Sequence, residues 1–458
     1  LLYTMYFLLS LISYLHFIEK KEGKYFILSV LLFVFSLLSK AQAVTLPLVL
    51  ILIDYLHSRK ITLKTILEKI PFFVLSLVFG IIAIYAQKAD NSINPNAITV
   101  FNSLFYAQFS IWVYLFKLVL PVFQTCLYEY PVDQFGKPPL YIYFSPLIIP
   151  LLLFILVKTW KNRKFITFGV LFFLLTIFPV LQFLPVGQAI VAERYAYIPY
   201  IGLFIITGML YLTLKEKATK PVARTLYTYG GYAMIAILAV VTFNRTKVWF
   251  DSVTLWTDVM EKNPRSLTAY VNRGYMYNQY KEYDKAIRDC NDGINLDSNY
   301  FKFYINRGVS YRNTGRYELA FADFSKAIEK NPKSYETYLD RGILYTDQFM
   351  NYDAGIADFR VYMNFRPTDA NVYYNMSVAF YKKQLYDSAI VYCKKTIGVS
   401  PQLSGPYYVM AIISDARGDF NRASEYGLKA RELGYAVDDA QIQNWQKRAG
   451  MVALTLGR

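Results

Sequence analysis

The chain has 458 residues, 55% of them hydrophobic, and a mean hydropathy of +0.24, which is too long and too apolar for one soluble domain, so a membrane part is expected. The formal net charge of +16 would suggest nucleic acid if it covered a soluble surface, but residues 1–250 hold 22 Lys+Arg against 9 Asp+Glu, whereas residues 251–458 hold 27 against 24. The surplus therefore sits between apolar runs, as in cytoplasmic loops, and a nucleic-acid partner is excluded.

The chain opens "LLYTMYFLLS", inside a hydrophobic run, with no initiator Met, basic n-region or cleavage site. It is expected to be the C-terminal portion of a longer protein, and the opening run is not read as a signal peptide. Apolar stretches at 1–18, 70–86, 141–157, 165–181, 198–214 and 225–243 approach the roughly 20 residues a helix needs to cross about 30 Å of hydrocarbon. Residues 25–39 and 41–56 are shorter and meet at "LLSKAQAVTLP", which predicts a tight helical hairpin with Lys40 at its tip. Asp54 is expected to be a solvated helix-end residue, and Glu129 and Asp133 solvated loop carboxylates without a role.

Orientation follows from the basic linkers at 19–24, 57–69, 158–164 and 215–224, which the positive-inside rule places in the cytoplasm. Between 69 and 158 the number of crossings must then be even, and 70–86 with 141–157 satisfies this. Stretch 101–122 is expected to lie along the outer interface or to re-enter. Lys40, the loops 87–140 and 182–197, and everything after 243 share the extracytoplasmic side.

Within "PVGQAIVAERYAYIPYIG" (185–202), Glu193 and Arg194 stand between two apolar runs. A charge at mid-membrane costs about 2.5–3.5 kcal/mol on insertion scales, so such residues mark cavities or function. Two readings stay open. The pair anchors a loop to headgroups while Lys40 snorkels, or Lys40 and Arg194, on one face amid Tyr195, Tyr197 and Tyr200, hold a phosphate, arginine as a planar fork and lysine as a point charge.

From 264 onward a repeat dominates. Tyr270, Tyr304, Tyr338, Tyr373 and Tyr407 recur at steps of 34, 34, 35 and 34 residues. Gly274, Gly308, Gly342, Ser377 and Ala411 keep the step, as do Ala286, Ala320, Gly355, Ala389 and Ala423, and Pro332, Pro367 and Pro401 close the later copies. Small residues at two fixed positions let paired helices approach, aromatics fill the holes, and proline ends the second helix. The pattern resembles the tetratricopeptide repeat, with five copies over 267–437. The extra residue of the third copy, near "DQFMNYD", is expected in its inter-helix turn, and 438–458 is expected to form a capping helix. Asn272, Asn306, Asp340 and Asn375 share one position on successive first helices. They are either simple repeat architecture or a ladder that holds an extended acceptor peptide by its backbone.

Cys126, Cys290 and Cys393 lack paired spacing, and His16 and His57 are the only histidines. No disulfide framework, zinc site or Ser/His/Asp triad is supported, and no metal is assigned.

"LLSKAQAVTLPLVLILIDYL", "VAERYAYIPYIG" and "FNRTKVWFDSVTLWTDVMEKNP" running into the repeats resemble, in that order, the transmembrane and tetratricopeptide repeat protein O-mannosyltransferase family and its bacterial relatives. The resemblance covers essentially the whole chain. It implies a GT-C glycosyltransferase fold that takes a sugar from a polyprenyl-phosphate donor on the extracytoplasmic side. Lys40 and Arg194 would contact the donor phosphate, and Glu193 would orient Arg194 or its neighbours. The family's catalytic carboxylates lie in the first extracytoplasmic loop, upstream of where this sequence starts. The catalytic base is therefore expected outside these residues, and this chain alone is expected to be inactive.

The expected fold is all-α, with a GT-C-like multi-span domain at 1–243, a linker and leading helix at 244–266, the repeats, and the cap. The expected reaction moves a hexose, mannose by resemblance, from a polyprenyl phosphate, a membrane lipid, to Ser or Thr of a protein bound in the repeat groove, with no tightly bound cofactor. The likeness to bacterial relatives places the chain as a multi-pass protein of a bacterial inner membrane, with periplasm and organelle lumen both open for the outer side. The alternative is a non-enzymatic membrane scaffold whose repeats bind partners.

Overall fold

The computed structural model describes residues 1–60, 62–89, 99–132, 137–181, 183 and 189–456. Contacts divide the chain into two units, Leu1–Phe250 and Asp251–Arg458.

The first unit contains α1 (Leu2–Lys20), α2 (Gly23–Ser39), α3 (Leu46–Leu56), α4 (Leu63–Leu67), α5 (Ile70–Ala89), α6 (Val100–Val119), α7 (Ile148–Thr159), α8 (Lys164–Ile177), α9 (Pro199–Lys217) and α10 (Pro221–Thr246). Among the described residues, four helical stretches are long and apolar enough to cross a membrane: Leu2–Lys20, Leu63–Ala86, Leu140–Thr159 and Pro221–Trp249. Gly23–Ser39, Ala41–Leu56 and Lys164–Val180 are apolar but shorter. One core joins α1, α2, α3, α5 and α8 through Phe7, Tyr14, Phe33, Leu50, Phe72 and Phe172. A second joins α6 to α8 and α9 through Tyr106, Tyr114, Phe173 and Leu203.

The expected hairpin of 25–39 on 41–56 does not form. A 3₁₀ turn, Ala41–Thr45, separates α2 from α3; α2 lies along α1 and α3 along α8. Reciprocal serines explain the first pairing: Ser10 Oγ donates to the Ser29 carbonyl at 2.8 Å and Ser29 Oγ to the Ser10 carbonyl at 2.9 Å. Such interhelical bonds satisfy hydroxyls where no water is available. Asp54 also departs from expectation, being only 7% exposed. It pairs with Lys69 and with Arg59, which in turn meets Glu68 at 2.8 Å, while Tyr14 receives a bond from Lys69 at 3.0 Å. Four charges close on one another because a buried carboxylate without a cation is far costlier than a paired one.

Helices α8 and α9 approach through Gly169 and Gly202. A Cβ on either would stand 2.4 Å from the other's carbonyl oxygen, closer than any side chain tolerates, so only glycine permits this crossing. Strands β1 (Tyr128–Glu129) and β2 (Ala189–Val191) pair antiparallel with Tyr128 opposite Val191. This ribbon is the one departure from an all-helical chain among the described residues. Asp133, and the loop residues 90–98 and 184–188, lie outside the described residues.

The second unit is a solenoid: α11 (Ser252–Lys262), then the pairs α12 (Leu267–Gln279) and α13 (Tyr283–Leu296), α14 (Phe301–Asn313) and α15 (Tyr317–Lys330), α16 (Tyr335–Asp347) and α17 (Tyr352–Phe365), α18 (Ala370–Lys382) and α19 (Tyr386–Val399), α20 (Gly405–Ala416) and α21 (Phe420–Glu432), and finally α22 (Asp439–Leu456). Gly308 and Gly342 are small because Phe324 and Phe359 of the following helices fill the space a Cβ would take, at 2.7 and 2.6 Å. The repeated tyrosine also reaches back to a turn: Tyr304 Oη donates to the Ser298 carbonyl at 3.0 Å and Tyr407 Oη to the Pro401 carbonyl at 3.2 Å. The extra residue of the third copy lies in the turn between α16 and α17, where Met350 takes φ 53°. Trp445 of α22 is buried beneath Gly427, whose Cβ would meet the indole at 2.5 Å, so α22 covers the last repeat.

A second ladder runs through the first three copies. Arg273, Arg307 and Arg341 each make a two-pronged contact, at 2.7–2.9 Å, with the buried Asp289, Asp323 and Asp358 of the paired helix. The remaining guanidinium nitrogen reaches Thr257, Asn291 or Ser325 on the preceding helix. Thr257 belongs to α11, so α11 stands where the second helix of an earlier repeat would stand. In copies four and five the corresponding positions hold Met376 with Tyr392 and Met410 with Tyr426. The ion pair has been exchanged as a unit for an apolar pair.

Two outcomes follow from this packing. Gly202→Ala is expected to lower the melting temperature of the detergent-solubilised chain by the equivalent of about 1–3 kcal/mol, while Gly208→Ala, which nothing crowds, leaves it unchanged; differential scanning fluorimetry reads both. In residues 251–458, Arg307→Met strands the Asp323 carboxylate and is expected to cost about 3–5 kcal/mol. Adding Asp323→Tyr recovers most of that loss, as a shift of the urea midpoint.

Candidate functional site

Lys40 ends α2, its backbone N–H bonded to the Ser36 carbonyl at 3.0 Å. The 3₁₀ turn that follows is tied across the unit by Gln42, which is 5% exposed and donates through Nε2 to the Tyr195 carbonyl at 3.1 Å and the Thr176 carbonyl at 3.4 Å. Those contacts bring Lys40 beside the 3₁₀ turn Glu193–Tyr195. Lys40 Nζ lies 4.6 Å from the centroid of the Tyr195 ring and 5.3 Å from that of Tyr3, and Arg194 Cζ lies 5.2 Å from the same Tyr195 ring. The structure thus brings Lys40 and Arg194 against the same tyrosine ring. Neither is paired with a carboxylate among the described residues. Each cation over a ring gains about 0.5–1 kcal/mol, and about 2 when desolvated, which offsets part of their repulsion. Burial pushes the Lys40 ammonium below its ordinary pKa, and the charge of Arg194 pushes it further in the same direction.

Glu193 does not pair with Arg194. Adjacent residues on a tight helical turn point away from each other, and Glu193 instead accepts a hydrogen bond from Tyr128 Oη at 2.5 Å. The ribbon is responsible, because Tyr128 pairs with Val191 two residues before Glu193. Burial and the neighbouring carboxylate hold Tyr128 in its protonated, donating form. Tyr114 fixes the residue before Glu193: the Ala192 N–H donates to Tyr114 Oη at 3.1 Å, and Tyr200 Oη donates to the Tyr114 carbonyl at 2.8 Å. No local pattern marks Tyr114 or Tyr128 in the sequence, because their partners lie 65 to 86 residues away. Glu193 and Arg194 also line a cleft of 560 Å³ that Lys40 does not reach.

In the solenoid the four ladder positions differ from one another. Asn306 is buried, its Nδ2 donating to the Val271 carbonyl at 2.9 Å, while its main-chain carbonyl accepts from Asn278 Nδ2 at 2.8 Å. Asp340 accepts from Arg312 of the preceding copy, and burial nonetheless raises its carboxyl pKa. These two side chains are committed to neighbouring helices and correct the expectation of a continuous backbone-holding ladder. Asn272 and Asn375 are half-buried without a side-chain partner among the described residues. Asn272 faces a groove of 540 Å³ shared with Asn306, Lys302 and Lys333. Among the described residues, no three His, Cys, Asp or Glu side chains are grouped to hold a metal.

Family models of the tetratricopeptide repeat match residues 267–300 and 301–334. No curated protein matches the chain. Solved structures similar to part of the chain include MamA (residues 41 to the end) from Desulfovibrio magneticus RS-1, with 18% identity over 38% of this chain and 97% of that one and a TM-score of 0.35. They also include YrrB, a TPR protein with an unusual peptide-binding site, with 16% identity over 42% of this chain and 97% of that one and a TM-score of 0.37. The C-terminal unit is a tetratricopeptide-repeat solenoid, an architecture whose stacked helices offer an extended surface to protein or peptide partners.

The contrast between the two asparagines is measurable. Asn306→Ala leaves the Val271 carbonyl without its donor and is expected to destabilise residues 251–458 by about 1–3 kcal/mol, whereas Asn272→Ala is expected to leave the urea midpoint in place.

Proposed function

We propose that the chain is part of an integral membrane glycosyltransferase of the GT-C type, related to the protein O-mannosyltransferases named above. Its first unit would hold a polyprenyl-phosphate hexose at the extracytoplasmic face, and its repeats would hold the acceptor protein. The observation that carries this reading is the meeting of Lys40 and Arg194 on the Tyr195 ring. Two cations with no carboxylate partner among the described residues, beside apolar helices of membrane-spanning length, suit a phosphate on a lipid. Arginine would take two phosphate oxygens and lysine would add a point charge. Transfer to a hydroxyl also needs a general base, and no residue brought together here is assigned that task.

A scaffold that only binds partners is the second reading, favoured by the match of residues 267–334 to the repeat family. One assay separates the two. The complete gene product, in nanodiscs with labelled polyprenyl-phosphate mannose and an unfolded acceptor protein, is expected to label the acceptor. Arg194→Ala and Lys40→Ala should each lower the rate by about 10- to 100-fold, the worth of a hydrogen bond to a charged group. Acceptor binding without any sugar transfer would leave the scaffold standing and remove the transferase.

A further inference from the structure

At the end of α3 away from Lys40, about 16 Å along a helix that rises 1.5 Å per residue, two basic linkers meet. Tyr55 Oη donates to the Trp160 carbonyl, the two rings lie 4.9 Å apart, and Lys164 Nζ donates to Ser58 Oγ at 2.6 Å. These contacts put residues 57–69 and 158–164 on one surface. Asp54 and Glu68 are the acidic residues of 54–69 and 158–164, and both are already taken, by the buried Lys69 and the half-buried Arg59. Lys60, Lys64, Lys158, Lys161 and Arg163 are exposed, and none has a carboxylate partner among the described residues. Lys158 Nζ stands 5.3 Å from the centroid of the Phe154 ring, which leaves Lys60, Lys64, Lys161 and Arg163 presented to the outside after the internal pairing is complete.

A bare apolar face adjoins these charges. Leu63, Ile66 and Leu67, spaced i, i+3 and i+4 on α4, are 72%, 54% and 51% exposed, with Lys64 among them in sequence. The face is held in place from both sides. Thr62 caps α4 through the Thr65 N–H, and Glu68 and Lys69, which follow it directly, are fixed by Arg59 and Asp54. Trp160, 48% exposed, stands next to Lys161; tryptophan concentrates at the headgroup level of a bilayer, where an amphipathic ring is half in hydrocarbon and half in water. A soluble anion would leave Leu63, Ile66 and Leu67 uncovered, and a lipid without net charge would leave the four cations unanswered. An amphiphile with a negative head satisfies both. We infer that this surface binds anionic phospholipid, with Lys60, Lys64, Lys161 and Arg163 on the headgroups and α4 along the acyl chains. The inference rests on the proposed membrane placement of the first unit and goes beyond it, since it names bulk lipid at the far end of α3 from the proposed donor site and does not depend on whether sugar is transferred.

The test reconstitutes the full chain in phosphatidylcholine vesicles with phosphatidylglycerol as a minor component and reads the fluorescence of Trp160 as the difference between the wild type and Trp160→Phe. Bromine is carried on the acyl chains of one lipid at a time. Brominated phosphatidylglycerol is expected to quench Trp160 at least about fivefold more strongly, mole for mole, than brominated phosphatidylcholine, the worth of one cation near an anionic surface. Lys161→Arg should keep that preference, and the combined Lys60→Gln, Lys64→Gln, Lys161→Gln and Arg163→Gln variant should bring it to parity. Because the four side chains are exposed, the melting temperature of that variant in detergent stays where it was, which separates loss of lipid binding from loss of fold. Parity in the wild type overturns the inference and leaves the membrane placement standing, and a preference that survives the four substitutions overturns it as well. Loss of the preference on adding millimolar glycerol 1-phosphate, a head without chains, assigns the cations to a free anion and overturns the lipid. If neither brominated lipid quenches Trp160, the inference and the membrane placement of the first unit fall together. A failed transferase assay changes none of these readings.

Discussion

Two positive charges held against one tyrosine ring are the constraint around which the first unit is arranged. Lys40 is half-buried and Arg194 exposed, and their like charges repel. The Tyr195 ring attracts both, and Gln42 ties the two turns together. Behind them, the approach of Gly169 to Gly202 sets where α9 begins, and therefore where the Glu193–Tyr195 turn must sit. Tyr114 and the β1–β2 ribbon hold the other flank. The burial that pushes down the Lys40 pKa is the cost of this arrangement.

What could be read in advance depended on the range of the interaction. The repeats were legible because Tyr, Gly, Ala and Pro recur at a nearly constant step and each satisfies a local packing need, as Gly308 under Phe324 illustrates. The same step would have disclosed the Arg307–Asp323 pair and its two relatives, and "EKNPRS" at 261–266 against "EKNPKS" at 329–334 would have shown α11 to be repeat-like. The asparagine position misled because one residue type does two jobs: Asn306 is spent on the Val271 carbonyl while Asn272 looks into the groove. Asp54 misled for a different reason. Its partners Lys69 and Tyr14 are 15 and 40 residues away, and no periodicity links them. The ribbon joins two segments of two and three residues, too short for alternation to register.

The exchange of Arg–Asp pairs for Met–Tyr pairs between the third and fourth copies bears on how the solenoid was built. A buried ion pair and an apolar pair of similar volume stabilise comparably, whereas any mixed state strands a charge. Substitution must therefore pass through a costly intermediate or change both sites together, which keeps each copy in one of two states. The ionic copies additionally bond to the helix before them, through Thr257, Asn291 and Ser325. That extra contact makes the first three copies interdependent in a way that Met376 and Met410 cannot reproduce, and stability along the array is expected to be uneven in the same sense.

Buried polarity separates architecture from candidate function in both units. Asp54, Asp289, Asp323 and Asp358 are buried and fully answered by cations of the chain itself; removing either partner would damage the fold, and nothing is left over for a ligand. Lys40 and Thr125 are different: among the described residues the half-buried ammonium has no carboxylate partner and the buried hydroxyl no hydrogen-bond partner. A folded chain retains such groups only where something outside it completes them or where selection tolerates the loss in stability.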